Sequence, residues 1–131
     1  NVLGTGPGFT DRLSSNLRDR QGLAYTVRAV ITNSASEYEG TFTGYIGTFP
    51  DKYKTVKDGF LKEIEKIRNE PASKQEVEDA KKYLTGSLPF SMTTSGQVAG
   101  LLLAVDRYQL GATYLDDYRK RVEAVTVEEV Q

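Results

Sequence analysis

Hydrophobic and polar residues change their spacing twice in the first part of the chain. Phe9, Leu13 and Leu17 fall four apart, on one face of a helix that Thr10 can cap and Asp11 can favour from the first turn. Gly22 is placed to stop this helix, and Arg18, one step round from the leucine stripe, belongs at the edge of its buried face. From Leu23 the period becomes two: Leu23, Tyr25, Val27, Ala29 and Ile31 alternate with a more polar set, which predicts a strand with one mainly apolar face. The polar stretch from Asn33 to Ser36 reads as a turn. Gly40 to Phe49 returns as a second strand, in which Gly44 and Gly47 predict close packing over the sheet or a bulge. The simple pairing is antiparallel, and two strands are too few to stand alone.

After Pro50 the pattern is helical. Asp51 is a cap candidate, and Tyr53, Val56, Phe60, Ile64 and Ile67 recur at steps of three and four, with Lys and Glu on the solvated face. Pro71 breaks the run, and Ser73 with Glu76 forms a capping-box pattern ahead of Val77, Ala80 and Leu84. A hydroxyl-rich linker from Ser91 to Gly96 leads to a helix with Val98, Leu101, Leu102 and Val105. Thr113 with Asp116 opens another helix, and Thr126 with Glu129 a last one at the very end of the sequence. The resulting class is α+β: an antiparallel sheet with helices packed on one face. The lone strand pair, the abrupt glycine-rich opening and the final unextended cap lead us to expect residues 1–131 to be a single partial domain, truncated at both ends.

Composition narrows the chemistry. The 131 residues carry 27% charged and 38% apolar side chains with a net charge of -1, which gives no broad attraction to nucleic acid or anionic membrane. The longest apolar run, from Leu101 to Val105, is far below the ~20 residues that span a bilayer. Neither histidine nor cysteine occurs. The usual zinc ligands and the commonest general base are therefore missing, and no metal site is expected in this chain. Thr93, Thr94 and Ser95 have no histidine to activate them, so capping and loop hydrogen bonding are their expected roles.

Two local features carry candidate chemistry. Gly4-Thr5-Gly6-Pro7-Gly8 precedes a helix as phosphate-binding loops do, but no lysine follows and Pro7 removes a donor, so backbone bending or close approach is the better reading. Arg18 and Tyr25 lie seven residues apart across the helix-to-strand corner. A guanidinium and a neutral phenol could together hold a carbonyl oxygen that is gaining charge. The same spacing is met by a solvated helix arginine and a half-buried strand aromatic.

The order of these signals resembles a known domain. The glycine-rich loop, the helix ending in Arg18 with Gly22-Leu23-Ala24-Tyr25, the paired strands, the Glu76-to-Lys81 helix start, Pro89-Phe90-Ser91 and the ending Ala124 to Val130 are similar to the C-terminal, non-zinc domain of pitrilysin/insulinase-type metallopeptidases and of mitochondrial processing peptidase subunits. The resemblance implies two similar domains around a chamber, with zinc held by a His-x-x-Glu-His helix of the other one. It implies that Arg18 and Tyr25 contact the bound peptide and the oxyanion of peptide hydrolysis, and that Gly6, Gly8 and Phe9 lie in a loop near the substrate. No cofactor is then expected in this chain and zinc is expected in the partner, a zinc-bearing peptidase domain on the same chain or a second subunit. Alone, the domain would be inactive. Two other readings stay open: a catalytically inactive scaffold of the same fold, or a peptide-binding module that adds a strand at an exposed sheet edge, where self-association could also occur.

Overall fold

The computed structural model describes residues 1–5, 10–31 and 39–130. Asp11, rather than Thr10, caps the first helix: its buried carboxylate accepts the Ser14 N–H at 2.8 Å and the Ser14 Oγ–H at 3.0 Å. The carboxylate thereby satisfies a donor that the helix start leaves open. From Ser14 to Arg20 the helix is π-wound, with the Gln21 N–H reaching back five residues to the Asn16 carbonyl at 3.1 Å. Leu13 and Leu17 are fully buried on its inner face.

The two strands, β1 (Thr26–Ile31) and β2 (Phe42–Gly47), pair antiparallel with Thr26 opposite Gly47 and Ile31 opposite Phe42. The strand expected from Leu23 thus begins three residues later. The Leu17 carbonyl accepts the N–H groups of Leu23 and Ala24 at 2.9 and 3.3 Å, so these residues finish the helix end instead of entering the ladder. The alternation slips with them: Ala24 is buried and Tyr25 faces out. The turn expected from Asn33 to Ser36 lies outside the described residues.

One face of the pair meets the core. Val27 and Ala29 close over Leu13, Leu17, Ala24, Val56 and Phe60. Burying side chains of this size is worth ~2 kcal/mol each, which is what holds so short a hairpin against helices. Glycines set the closeness of approach. A Cβ on Gly44 would lie 2.4 Å from Phe60 Cζ, and one on Gly59 would lie 2.7 Å from Leu17 Cδ2. Gly4 is buried against Ala29, whose N–H donates to the Gly4 carbonyl at 3.2 Å, so the first glycine of the loop serves close approach.

The remaining elements are helical: α1 (Tyr53–Asn69), α2 (Lys74–Ser87), α3 (Ser95–Arg107), α4 (Tyr114–Ala124) and the short α5 (Val127–Val130). A tight turn, Pro50–Lys52, precedes α1, so Asp51 lies within that turn and does not cap the helix. Capping boxes do form at Ser73/Glu76, Thr94/Gln97 and Thr126/Glu129. Thr93 and Thr94 are used in the second of these, as hydroxyls without a base should be. Thr113 makes no side-chain cap bond at α4. Val77, Ala80 and Leu84 of α2 face Val122 and Val130 across an apolar groove of about 300 Å³. α3 packs on the Leu88–Met92 turn and leaves Val98, Leu102 and Leu103 exposed.

Polar locks join the first helix to its neighbours. Arg12 Nε and Nη2 donate to both carboxylate oxygens of Glu76 at 2.6 and 3.1 Å, and Nη2 also points at the Pro71 carbonyl at 3.4 Å. This fork, with the Ser73 N–H at 2.7 Å, holds the Glu76 carboxyl at a pKa of about 2. Deeper in, the buried Glu63 carboxylate of α1 accepts from Asn16 Nδ2 at 2.6 Å and from Lys66 Nζ at 2.7 Å.

Candidate functional site

The corner between the first helix and β1 is built by Leu17. Its side chain sits at the bare backbone of Gly59, and its carbonyl receives two N–H groups from beyond the helix end. Gly22, at φ +59°, supplies the left-handed residue that turns the chain, and its N–H donates to the Arg18 carbonyl at 3.0 Å. Each closing bond reaches one residue further than at an α-helical end, as a π-wound last turn requires. Arg18 and Tyr25 are thus placed on the two sides of a corner whose N–H groups, from Gln21 to Tyr25, are all bonded.

Their side chains differ in exposure. Arg18, on the last turn, is 33% exposed and its Nη1 lies 3.6 Å from Asp19 Oδ1. That separation is long for a bidentate pair, and a solvated contact of this kind stabilises by under ~1 kcal/mol. Tyr25 is 85% exposed, so the expectation of a half-buried strand aromatic is corrected. Among the described residues its backbone is engaged, the N–H donating to the Gly47 carbonyl at 2.9 Å. Asp19, Arg20 and Gln21 face solvent.

Beside Tyr25 runs an open groove of about 500 Å³ between residues 22–25 and 47–49. Tyr25 and Phe49 form its aromatic sides; Arg18 is not part of its lining. The Thr48 Oγ–H donates to the Leu23 carbonyl at 2.5 Å and ties the two walls together. Sequence spacing gives little sign of this groove. Phe49 reads as the last residue of a strand, and the one local signal is that it precedes Pro50, which holds it extended at φ -75° and ψ 146°.

The other expected site residues, Gly6, Gly8 and Phe9, lie outside the described residues. Among the described residues no group of three or more His, Cys, Asp or Glu side chains could hold a metal ion, and the sequence has no histidine or cysteine. The donor set does not fit zinc. Among the described residues no single helix is long and apolar enough to cross a membrane.

Three solved structures are similar over 98% of this chain. The peptidase M16 inactive domain from Pseudomonas fluorescens shares 29% identity at a TM-score of 0.85, and this chain covers 30% of its length. A conserved protein from Enterococcus faecalis V583 has 22% identity and a TM-score of 0.80, with 29% of its length covered, and is alike in fold. A protease from Helicobacter pylori, at 20% identity, a TM-score of 0.78 and 30% coverage, is likewise alike in fold. A search of curated proteins finds no match. The chain therefore spans about 30% of the length of the structures it matches. The family described as the peptidase M16 inactive domain matches residues 1–84, which contain the glycine loop, the Arg18–Tyr25 corner, both strands and α1. This chain belongs to the peptidase M16 inactive-domain family.

Proposed function

We propose that this domain contacts the peptide substrate of a zinc peptidase and stabilises its reaction, with Arg18 and Tyr25 donating hydrogen bonds to the carbonyl oxygen of the scissile bond as it gains charge. The observation that carries the reading is the state of the pair: Tyr25 presents its phenol to solvent from a corner whose backbone N–H groups, from Gln21 to Tyr25, are all bonded, and Arg18 stands at the end of the helix that forms it. The bonded backbone fixes the points from which the two side chains extend, which reduces the reorganisation needed as charge develops. The guanidinium adds a permanent positive charge.

Zinc and its ligands would belong to a partner domain, on the same chain or a second subunit, because this chain's donor set does not fit the metal. The division of roles leaves this chain to orient the peptide and hold the oxyanion. The test is reconstitution: the full protein containing this domain is combined with the zinc-bearing half, and cleavage of a quenched fluorescent peptide is followed. Tyr25→Phe should lower kcat by about a hundredfold with KM little changed, since the lost bond strengthens only in the transition state. A purely structural role for the domain predicts a rate within twofold of wild type for both Tyr25→Phe and Arg18→Ala.

A further inference from the structure

We infer that Asn16 is a positioning residue: its side-chain amide clamps the π-wound turn that carries Arg18, ties that turn to the buried Glu63 of α1, and so sets where the guanidinium stands against Tyr25. This deepens the proposed function and rests on it, because the group positioned is one of the two proposed oxyanion donors.

The clamp is specific to the winding. Gln21 Nε2 donates to Asn16 Oδ1 at 2.9 Å and the Gln21 N–H donates to the Asn16 carbonyl at 3.1 Å, so side chain and backbone make the same five-residue step. In an α-helix, residues five apart point about 140° away from each other; in a π-turn they stand one above the other. The side-chain bond therefore favours the π form over the α form. Arg18 lies between the two clamped residues, and its own carbonyl accepts the Gly22 N–H at 3.0 Å. The other end of the amide is anchored. Asn16 Nδ2 donates at 2.6 Å to Oε1 of Glu63, whose side chain is 5% exposed and which also accepts from Lys66 Nζ at 2.7 Å. A carboxylate only accepts, so it compels Asn16 to turn its NH2 toward α1 and its oxygen toward Gln21. Gly59 of the same helix receives the Leu17 side chain, so residues 16 and 17 are both registered on α1 immediately before Arg18.

The test is a double-mutant cycle in single-turnover cleavage by the full protein paired with its zinc-bearing half. Asn16→Ala should lower the chemical rate about tenfold with peptide affinity within twofold of wild type, because a displaced donor weakens the transition state more than the bound peptide. In an Arg18→Ala background the same change should alter the rate less than twofold, since the group it places is gone. Gln21→Ala removes an exposed side chain and breaks the clamp without touching Glu63. It should show the same pattern with a smaller loss, about threefold, and it decides the question if Asn16→Ala does not fold. A slow Arg18→Ala with Asn16→Ala and Gln21→Ala both within twofold of wild type overturns the positioning role alone. A loss as large in the Arg18→Ala background as in wild type reveals a general structural defect and overturns it too. Arg18→Ala within twofold of wild type overturns the oxyanion contact of Arg18 and the positioning role with it.

Discussion

Glu76 should make this domain sensitive to acid. Its carboxyl is held at about 2 against 4.5 for an ordinary glutamate, chiefly by the Arg12 fork and further by the Ser73 N–H and hydroxyl. A carboxyl whose folded-state pKa is depressed contributes stability above its unfolded value, and that stability is lost as the pH falls through the folded value. The window therefore runs from about pH 4.5 down to about 2. At ~1.4 kcal/mol for each tenfold change in acidity, the upper bound is about 3 kcal/mol. The Glu76 side chain is 31% exposed, so solvent screening brings a realistic contribution to about 1–2 kcal/mol. Urea unfolding of wild type and Glu76→Gln at pH 7, 4 and 2.5 measures it. Wild type should lead by about 1–2 kcal/mol at pH 7, and the two curves should converge toward pH 2.5. Parallel curves across the range would show that the acid sensitivity arises elsewhere and that the Arg12–Glu76 lock contributes nothing measurable.

Three further substitutions probe the parts that place the site. Gly44→Val puts side-chain atoms where the buried Phe60 ring already lies and should cost at least about 1–3 kcal/mol in thermal or urea unfolding. Gly47→Ala, whose nearest neighbours would be 3.8 Å away, should unfold within about 0.5 kcal/mol of wild type. Gly22→Ala forces a Cβ into the left-handed region at φ +59° and should cost about 1–2 kcal/mol, although open space surrounds it. Hydrogen exchange at the Leu23 and Ala24 amides, both bonded to the Leu17 carbonyl, should accelerate in that variant before exchange in β1 does.

Much of the architecture was legible in the spacing of residues, because it depends on patterns that local physics enforces. Leu13 and Leu17 one helical step apart, the alternation through Val27 and Ala29, Pro71 between two helices and the Ser73/Glu76 box all do what their chemistry predicts. Gly44 meets a close neighbour, as a glycine inside a strand implies. The failures lie where backbone bonds compete. Period-two spacing cannot show that the Leu17 carbonyl will capture the Leu23 and Ala24 amides, and that capture shortens β1 and turns Tyr25 outward. At the caps, the buried carboxylate of Asp11 serves the helix in place of the Thr10 hydroxyl, and the Pro50–Lys52 turn displaces Asp51 from the start of α1. The fork between Arg12 and Glu76 spans 64 residues, a separation at which no sequence period operates. The Arg18–Tyr25 pair was legible as two residues but not as geometry, since its exposure depends on the π-wound end of the helix.

The central claim is that this chain supplies oxyanion donors to a reaction whose metal lies elsewhere. The most direct measurement is single-turnover cleavage of a saturating peptide by the full protein paired with its zinc-bearing half, with Tyr25→Phe and Arg18→Ala compared with wild type. A fall in the chemical rate of about a hundredfold in Tyr25→Phe, at unchanged peptide affinity, is the predicted result. Rates within twofold of wild type in both variants would contradict the account and leave the domain a structural role.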